Sequence, residues 1–186
     1  MKLRVDVLID VIIGLIIIGA AAYCWVDEYG TQKFIEGQRD GDEFRIYMMT
    51  SDTVCDIQFH SREALNSLNR NSTGAFNLSM VELVGDFEHL ELNLWDSVEY
   101  LFPNELPNET LVNMTRTYQC AEFVELSRKA VLNGTANVSA VREGLSLIYE
   151  SATEWRANSR FPSEEFLRAN AGLQRKCGLL LKHVSG

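Results

Sequence analysis

Histidine is scarce in this chain of 186 residues, with three copies, and cysteine contributes only four. That leaves little raw material for a metal centre or a Cys/His nucleophile. Gly-rich phosphate loops, G-x-S-x-G elbows and H-E-x-x-H pairs are all missing, so no familiar catalytic constellation is available. Basic residues are outnumbered, 17 against 26 acidic, and a net charge of -9 would repel a polyanion before any specific contact formed, which excludes nucleic acid as a partner. No stretch alternates with period two between hairpin turns, so sheet is not expected. Internal repeats and low-complexity segments are also absent. What remains is 46% apolar and 10% aromatic content, enough to build the core of one folded domain. The chain is expected to be no enzyme and to need no cofactor or metal.

One long apolar run stands out. Residues 11–26 read VIIGLIIIGAAAYCWV without a charge. With Val7, Leu8 and Ile9 around Asp10, the stretch reaches about the twenty residues that cross a bilayer. Lys2, Arg4 and the amino terminus precede it and Asp27 and Glu28 follow, an asymmetry that puts the amino terminus in the cytoplasm and the body of the chain outside. Tyr23, Trp25 and Tyr29 cluster where the outer interface would lie. The competing reading is a cleaved signal peptide, since Ala20, Ala21 and Ala22 form a small-residue site. A secretory leader should begin basic, however, and Asp6 and Asp10 cancel Lys2 and Arg4, so an uncleaved anchor is the better reading. Asp6 and Asp10 lie four apart on one helix face and are candidates for contact with a membrane partner. Their bland alternative is a place in the headgroup layer, with sixteen apolar residues spanning roughly 24 Å.

Beyond the run, N-x-[ST] occurs six times, at Asn71, Asn77, Asn108, Asn113, Asn133 and Asn137. Twelve Asn and a Ser plus Thr total of 22 would give about 1.4 by chance. The excess, arranged as three pairs at stretches that read as ends between helices, predicts N-glycosylation. Capping and turn preferences of Asn, Ser and Thr explain part of the excess but not the pairing.

Apolar spacing predicts helices throughout. Ser79 with Glu82 forms a capping box, and Met80, Val84, Phe87, Leu94, Val98 and Leu101 follow in steps of three and four, with Glu91 interrupting. A second helix opens at Asn108 or Thr110, with Leu111, Met114, Tyr118, Ala121, Val124 and Val131 on its stripe. Val138, Val141, Leu145, Ile148, Ala152 and Trp155 make a third. Ser163 with Glu164 and Glu165 starts a fourth, whose stripe is Phe166, Leu173, Cys177, Leu180 and Val184 around Asn170. Residues 42–70 are less regular, with Phe44, Met48, Cys55, Leu65 and Leu68 at compatible spacing. The expected fold is all-α: a single transmembrane helix (residues 1–26, with a cytoplasmic stub), a stalk carrying Gly30, Gly37 and Gly41 (27–41), and an antiparallel helical-bundle ectodomain (42–186).

Equal height in such a bundle pairs Cys55 with Cys120 as a disulfide, with Cys120 and Cys177 the alternative about one turn out of level. Asp86 and His89 share the spacing of a metal-binding helix face, but no second copy supports a site. Glu91 and Asn170, polar members of apolar stripes, are read as fixing the bundle's register. Taken together, the sequence describes a glycosylated helical surface protein on a single membrane anchor. Its expected partners are the lipid bilayer and other membrane or surface proteins, with oligomeric state open. The alternative is an extracellular sensor bundle that signals through a membrane partner, because only about ten residues would remain inside the cell to carry an output.

Overall fold

In a computed structural model, the backbone is described for residues 5–101, 117–158 and 163–184, and most side chains within those ranges are described from Tyr29 onward. The elements are all helical: α1 (Val5–Asn69), α2 (Thr73–Leu101), α3 (Tyr118–Leu132), α4 (Val138–Asn158) and α5 (Glu164–Leu180), closed by a 3-10 turn at Leu181–His183. The all-α reading therefore holds. The chain falls into two compact units, Met1–Phe44 and Arg45–Gly186. The first is helical wherever it is described. Among the described residues no helix is long and apolar enough to cross a membrane. The apolar run of residues 11–26, which carries the anchor expectation, precedes the first described side chain.

The second unit is a helical bundle. Its polar cross-links fix the directions of its helices. Residues 53 and 60 of α1 meet residues 93 and 86 of α2, so one index falls as the other rises and the two helices are antiparallel. The same reversal relates α2 to α3 through Asn77 with Arg128 and Phe87 with Thr117. It relates α1 to α4 through Gln58 with Thr153 and Asn69 with Arg142. It relates α4 to α5 through the edge-on rings of Trp155 and Phe166 and through the Asn137 N–H, which donates to the Val184 carbonyl. Inside lies one contiguous apolar cluster to which every helix contributes, among them Ile57, Phe87, Phe123, Ile148 and Phe166, all fully buried. Removing such side chains from water is the main favourable term in folding.

Two of the turns share one chemistry. At the end of α1 the Asn71 N–H donates to Leu68 and the Ser72 N–H to Ser67; at the end of α3 the Gly134 N–H donates to Val131 and the Thr135 N–H to Ala130. Both are Schellman closures that satisfy the last carbonyls of a helix, and both require a left-handed residue, supplied by Asn71 at φ 53° and Gly134 at φ 69°. At the start of α5, Ser163 is the N-cap, its hydroxyl accepting from the Phe166 N–H at 3.2 Å.

Three sequence expectations are corrected. α2 begins at Thr73 rather than at Ser79, because Phe76 is a core residue at 1% exposure and draws the preceding turn into the helix. On α1 the buried stripe is Thr50, Val54, Ile57, Ser61, Ala64 and Leu68, while Phe44 and Met48 are exposed at 65% and 41%. Small polar residues occupy core positions there: the Ser61 hydroxyl donates back to the Ile57 carbonyl at 2.6 Å, and this hides the apolar period. On α3, Tyr118 is exposed and the buried face is Cys120, Phe123, Val124, Ser127 and Ala130. That helix packs against both α2 and α5, so its buried arc is displaced from the stripe that spacing alone suggests.

Candidate functional site

The first turn of α3 gathers the buried polar residues Thr117, Asn170 and Gln174. Helix starts leave N–H groups without intrahelical partners. Thr117 precedes α3, and its own side chain does not cap it. Instead Glu91 of α2 accepts from both the Thr117 hydroxyl, at 3.0 Å, and the Thr117 N–H, at 3.4 Å. The Cys120 N–H donates to Gln174 Oε1 of α5 at 2.9 Å, and Gln174 Nε2 donates in turn to Asn170 Oδ1 at 3.3 Å. Glu91 and Asn170 do not bond to each other; both serve the same helix start, one directly and one through Gln174.

Cys120 and Cys177 meet beside that turn. Both are fully buried, on helices α3 and α5 that pack together, and their thiols interact. Burial pushes the Cys120 thiol well above its usual range, and the hydrogen bond to Cys177 adds to the effect. The expected Cys55–Cys120 bridge is thereby corrected: Cys55, Cys120 and Cys177 are free thiols, and the neighbour of Cys120 is Cys177. Height did not mislead. Thr117 meets α2 at Phe87 and Glu91, the stretch that Thr53 and His60 meet at Asn93 and Asp86. Direction did: α1 is hydrogen-bonded to α2 and to α4, whereas Cys120 points to α5.

A second polar pair joins α1 to α2. His60 Nδ1 lies 2.7 Å from Asp86 Oδ2, with side-chain exposures of 21% and 10%. Burial pushes the Asp86 carboxyl up to about 6; the hydrogen bond and charge of His60 pull it down, and Asp56 and Glu82 push it up again. One proton is shared across this contact, donated either by the carboxylic acid or by the ring N–H. Asp86 shares a helix-face spacing with His89, three residues along, but His89 is exposed and the partner of Asp86 is His60, 26 residues away on another helix, where no local pattern could reveal it. Among the described residues no group of three His, Cys, Asp or Glu side chains could hold a metal.

The sequon asparagines divide. Asn71 is exposed in the α1–α2 turn, beside a cavity of about 220 Å³ whose wall includes Phe76 and Arg142. Asn133 is the exposed C-cap of α3. Exposed Asn137 accepts the Ala140 N–H with Oδ1 at 3.3 Å, which leaves Nδ2, the atom that carries a glycan, without that duty. Asn77 departs from the expected placement at a helix end: it lies within α2, half-buried, and its Oδ1 accepts from Arg128 at 2.8 Å. Asn108 and Asn113 lie outside the described residues. Asp6 and Asp10 are in α1, and their side chains lie outside the described ones. Comparison of the chain with protein-family models, with curated proteins and with solved structures finds no match.

Proposed function

We propose that this is a non-enzymatic surface protein, an N-glycosylated helical bundle held by a single amino-terminal membrane helix, which acts as an accessory subunit through contacts with other membrane or surface proteins. The observation that carries the reading is the uncharged run of residues 11–26, with basic residues before it, acidic residues after it, and all six sequons on the far side. Exposed asparagines at two adjacent turns, Asn71 at one and Asn133 and Asn137 at the other, support it, because a glycan needs room. The contact role is supported by large apolar side chains left in solvent. Met48 and Phe59 share one face of α1, exposed at 41% and 59%; Leu92 on α2 is 63% exposed.

The test is fractionation of the protein from its native host. Retention in membranes after an alkaline carbonate wash, an amino terminus at Met1 or Lys2, and glycan on several of the six asparagines are expected. An amino terminus at Tyr23, or release by carbonate with all six asparagines bare, would overturn the reading.

A further inference from the structure

We infer that the protein assembles with copies of itself: the outer face of α2 on one molecule docks along the outer face of α5 on the next. The inference rests on the contact role proposed above and names its partner, but it draws on neither the anchor nor the sugars.

Two helices carry an outward face with the regularity of a packing seam. On α2 the positions Leu78, Val81, Gly85, Glu88, Leu92 and Trp95 recur in steps of three and four, opposite the buried stripe that runs from Phe76 to Leu94. Leu78 and Leu92 are each 63% exposed, and Val81 and Trp95 are exposed as well. On α5 and the turn that follows it, Arg168, Gly172, Arg175, Leu179 and Lys182 recur in the same way, with Leu179 65% exposed. The glycines thin both faces. Nothing lies within 4 Å of where a Cβ on Gly85 or Gly172 would be, so a side chain from a facing helix meets open backbone there.

Charge decides which faces meet. α2 has no lysine or arginine in its 29 residues, and Glu82 and Glu88 are exposed on it. From Arg168 to Lys182 there are four basic residues and no acidic one. Two α2 faces would set carboxylate against carboxylate and two α5 faces cation against cation, so like faces repel and the unlike pair attracts.

Height decides the register. α2 and α5 run in opposite directions in the bundle, so copies standing side by side in the same sense bring them together antiparallel. Along α3, Thr117 meets Phe87, Arg128 meets Asn77 and the Cys120 N–H meets Gln174. Counting from these contacts puts Val81 level with Leu179, Glu88 with Gly172 and Leu92 with Arg168. The separate route through α1 and α4, by Thr53 with Asn93, Asn69 with Arg142 and Trp155 with Phe166, agrees to within about one turn. In that register Val81 of one copy packs on Leu179 of the next. Glu88 stands over the open backbone of Gly172, between Arg168 and Arg175, and Leu92 and Trp95 lie along the Arg168 stem. Each copy offers one face of each kind, with α3 packed against both helices, so the contact is head-to-tail and repeats from copy to copy.

The experiment is sedimentation of the full-length protein in detergent at low salt over a range of concentrations, with circular dichroism to show that each variant is folded. The native protein is expected to form species larger than a dimer, and raising the salt should weaken them. Glu88→Arg blocks the α2 face and Arg175→Glu blocks the α5 face, both at exposed positions, and each should weaken association by about tenfold or more. Mixing the two variants should bring back the contact, because the intact α2 face of one meets the intact α5 face of the other. A native protein that is monomeric throughout, association that survives either substitution, or blocked variants that fail to pair when mixed would each overturn the inference. A monomer that copurifies from its host in equal amount with a different membrane or surface protein would overturn self-assembly and leave the contact role standing. A monomer with no such companion would overturn both.

Discussion

The bundle is held in register by different means on its two sides. Between α1 and α2 the contacts are polar: His60 with Asp86 at 2.7 Å, and Asn93 donating to the Thr53 hydroxyl at 3.1 Å, both within the packed seam. Between α3 and α4 the contact is one of shape. The Phe123 ring lies over Gly144 so closely that a Cβ there would be 2.0 Å from the ring's Cζ. A polar seam is specific because each group left without its partner is penalised, and it responds to pH. A steric seam ignores pH and instead refuses volume.

The largest expected effect comes from breaking the steric side. Gly144→Ala places a methyl group where a fully buried ring already sits, and neither Phe123 nor the helix backbone is free to yield. Overpacking of this kind costs about 3 kcal/mol, well above the roughly 1 kcal/mol that alanine gains over glycine by helix propensity. A urea titration should show a lowered midpoint, and adding Phe123→Leu should recover part of the loss, a coupling expected only of residues in contact. An unchanged midpoint for Gly144→Ala would mean that the two helices are not so close.

Asp86→Asn tests the polar side, with an effect of on the order of 2–3 kcal/mol spread over a pH interval. The native carboxyl titrates at about 6, above the ordinary value of 3.8, so between these values the folded protein binds more protons than the unfolded chain. The stability this group contributes is therefore full below about pH 4 and is lost as pH rises through about 6. Asparagine cannot ionise, so the variant should gain on the native protein as pH is raised from 4 to 7. Chemical denaturation at several pH values measures the slope, and parallel curves for the two proteins would refute it. Gly144→Ala should lower stability equally across the same range.

The smallest effect sharpens what makes a glycine indispensable. At Gly178 a Cβ would meet Gln119 at 2.8 Å, nominally a clash, but the obstacle is the far end of a flexible half-exposed side chain. Gly178→Ala should stay within about 0.5 kcal/mol of the native protein, because propensity offsets the rearrangement. A loss as large as that at Gly144 would show that Gln119 is held in place.

Much of this was legible in the amino acids themselves. Val141, Leu145, Ile148, Ala152 and Trp155 are buried as their spacing suggests, and Ser163 caps α5 as its neighbours suggest, because both signals are local and depend on no other helix. Gly134 announced the end of α3 for the same reason. The α1 stripe was misread because Thr50 and Ser61, core residues by position, are polar by composition, while Phe44 and Met48, apolar by composition, face solvent. Thr50 even buries a hydroxyl that finds no partner among the described residues, and no residue-by-residue preference would place it there. Glu91 and Asn170 were recognisable as anomalies, yet Glu91 bonds Thr117, 26 residues away at the start of α3, and Asn170 bonds Gln174 of its own helix, whose other end reaches Cys120 on α3. The cysteine pairing failed similarly: height along a helix can be counted from the chain, but which neighbour a side chain faces depends on how the helices are arranged around one another.

That dependence gives α3 a distinct position in the assembly of the chain. It has 15 residues, a length at which an isolated helix in water is marginal, and its opening N–H groups are satisfied by Glu91 of α2 and Gln174 of α5. Its beginning thus belongs to its neighbours rather than to itself. Order along the polypeptide is then not order of completion: α5, synthesised after α3, supplies a partner that the first turn of α3 requires, and that turn is completed only once α5 has been made.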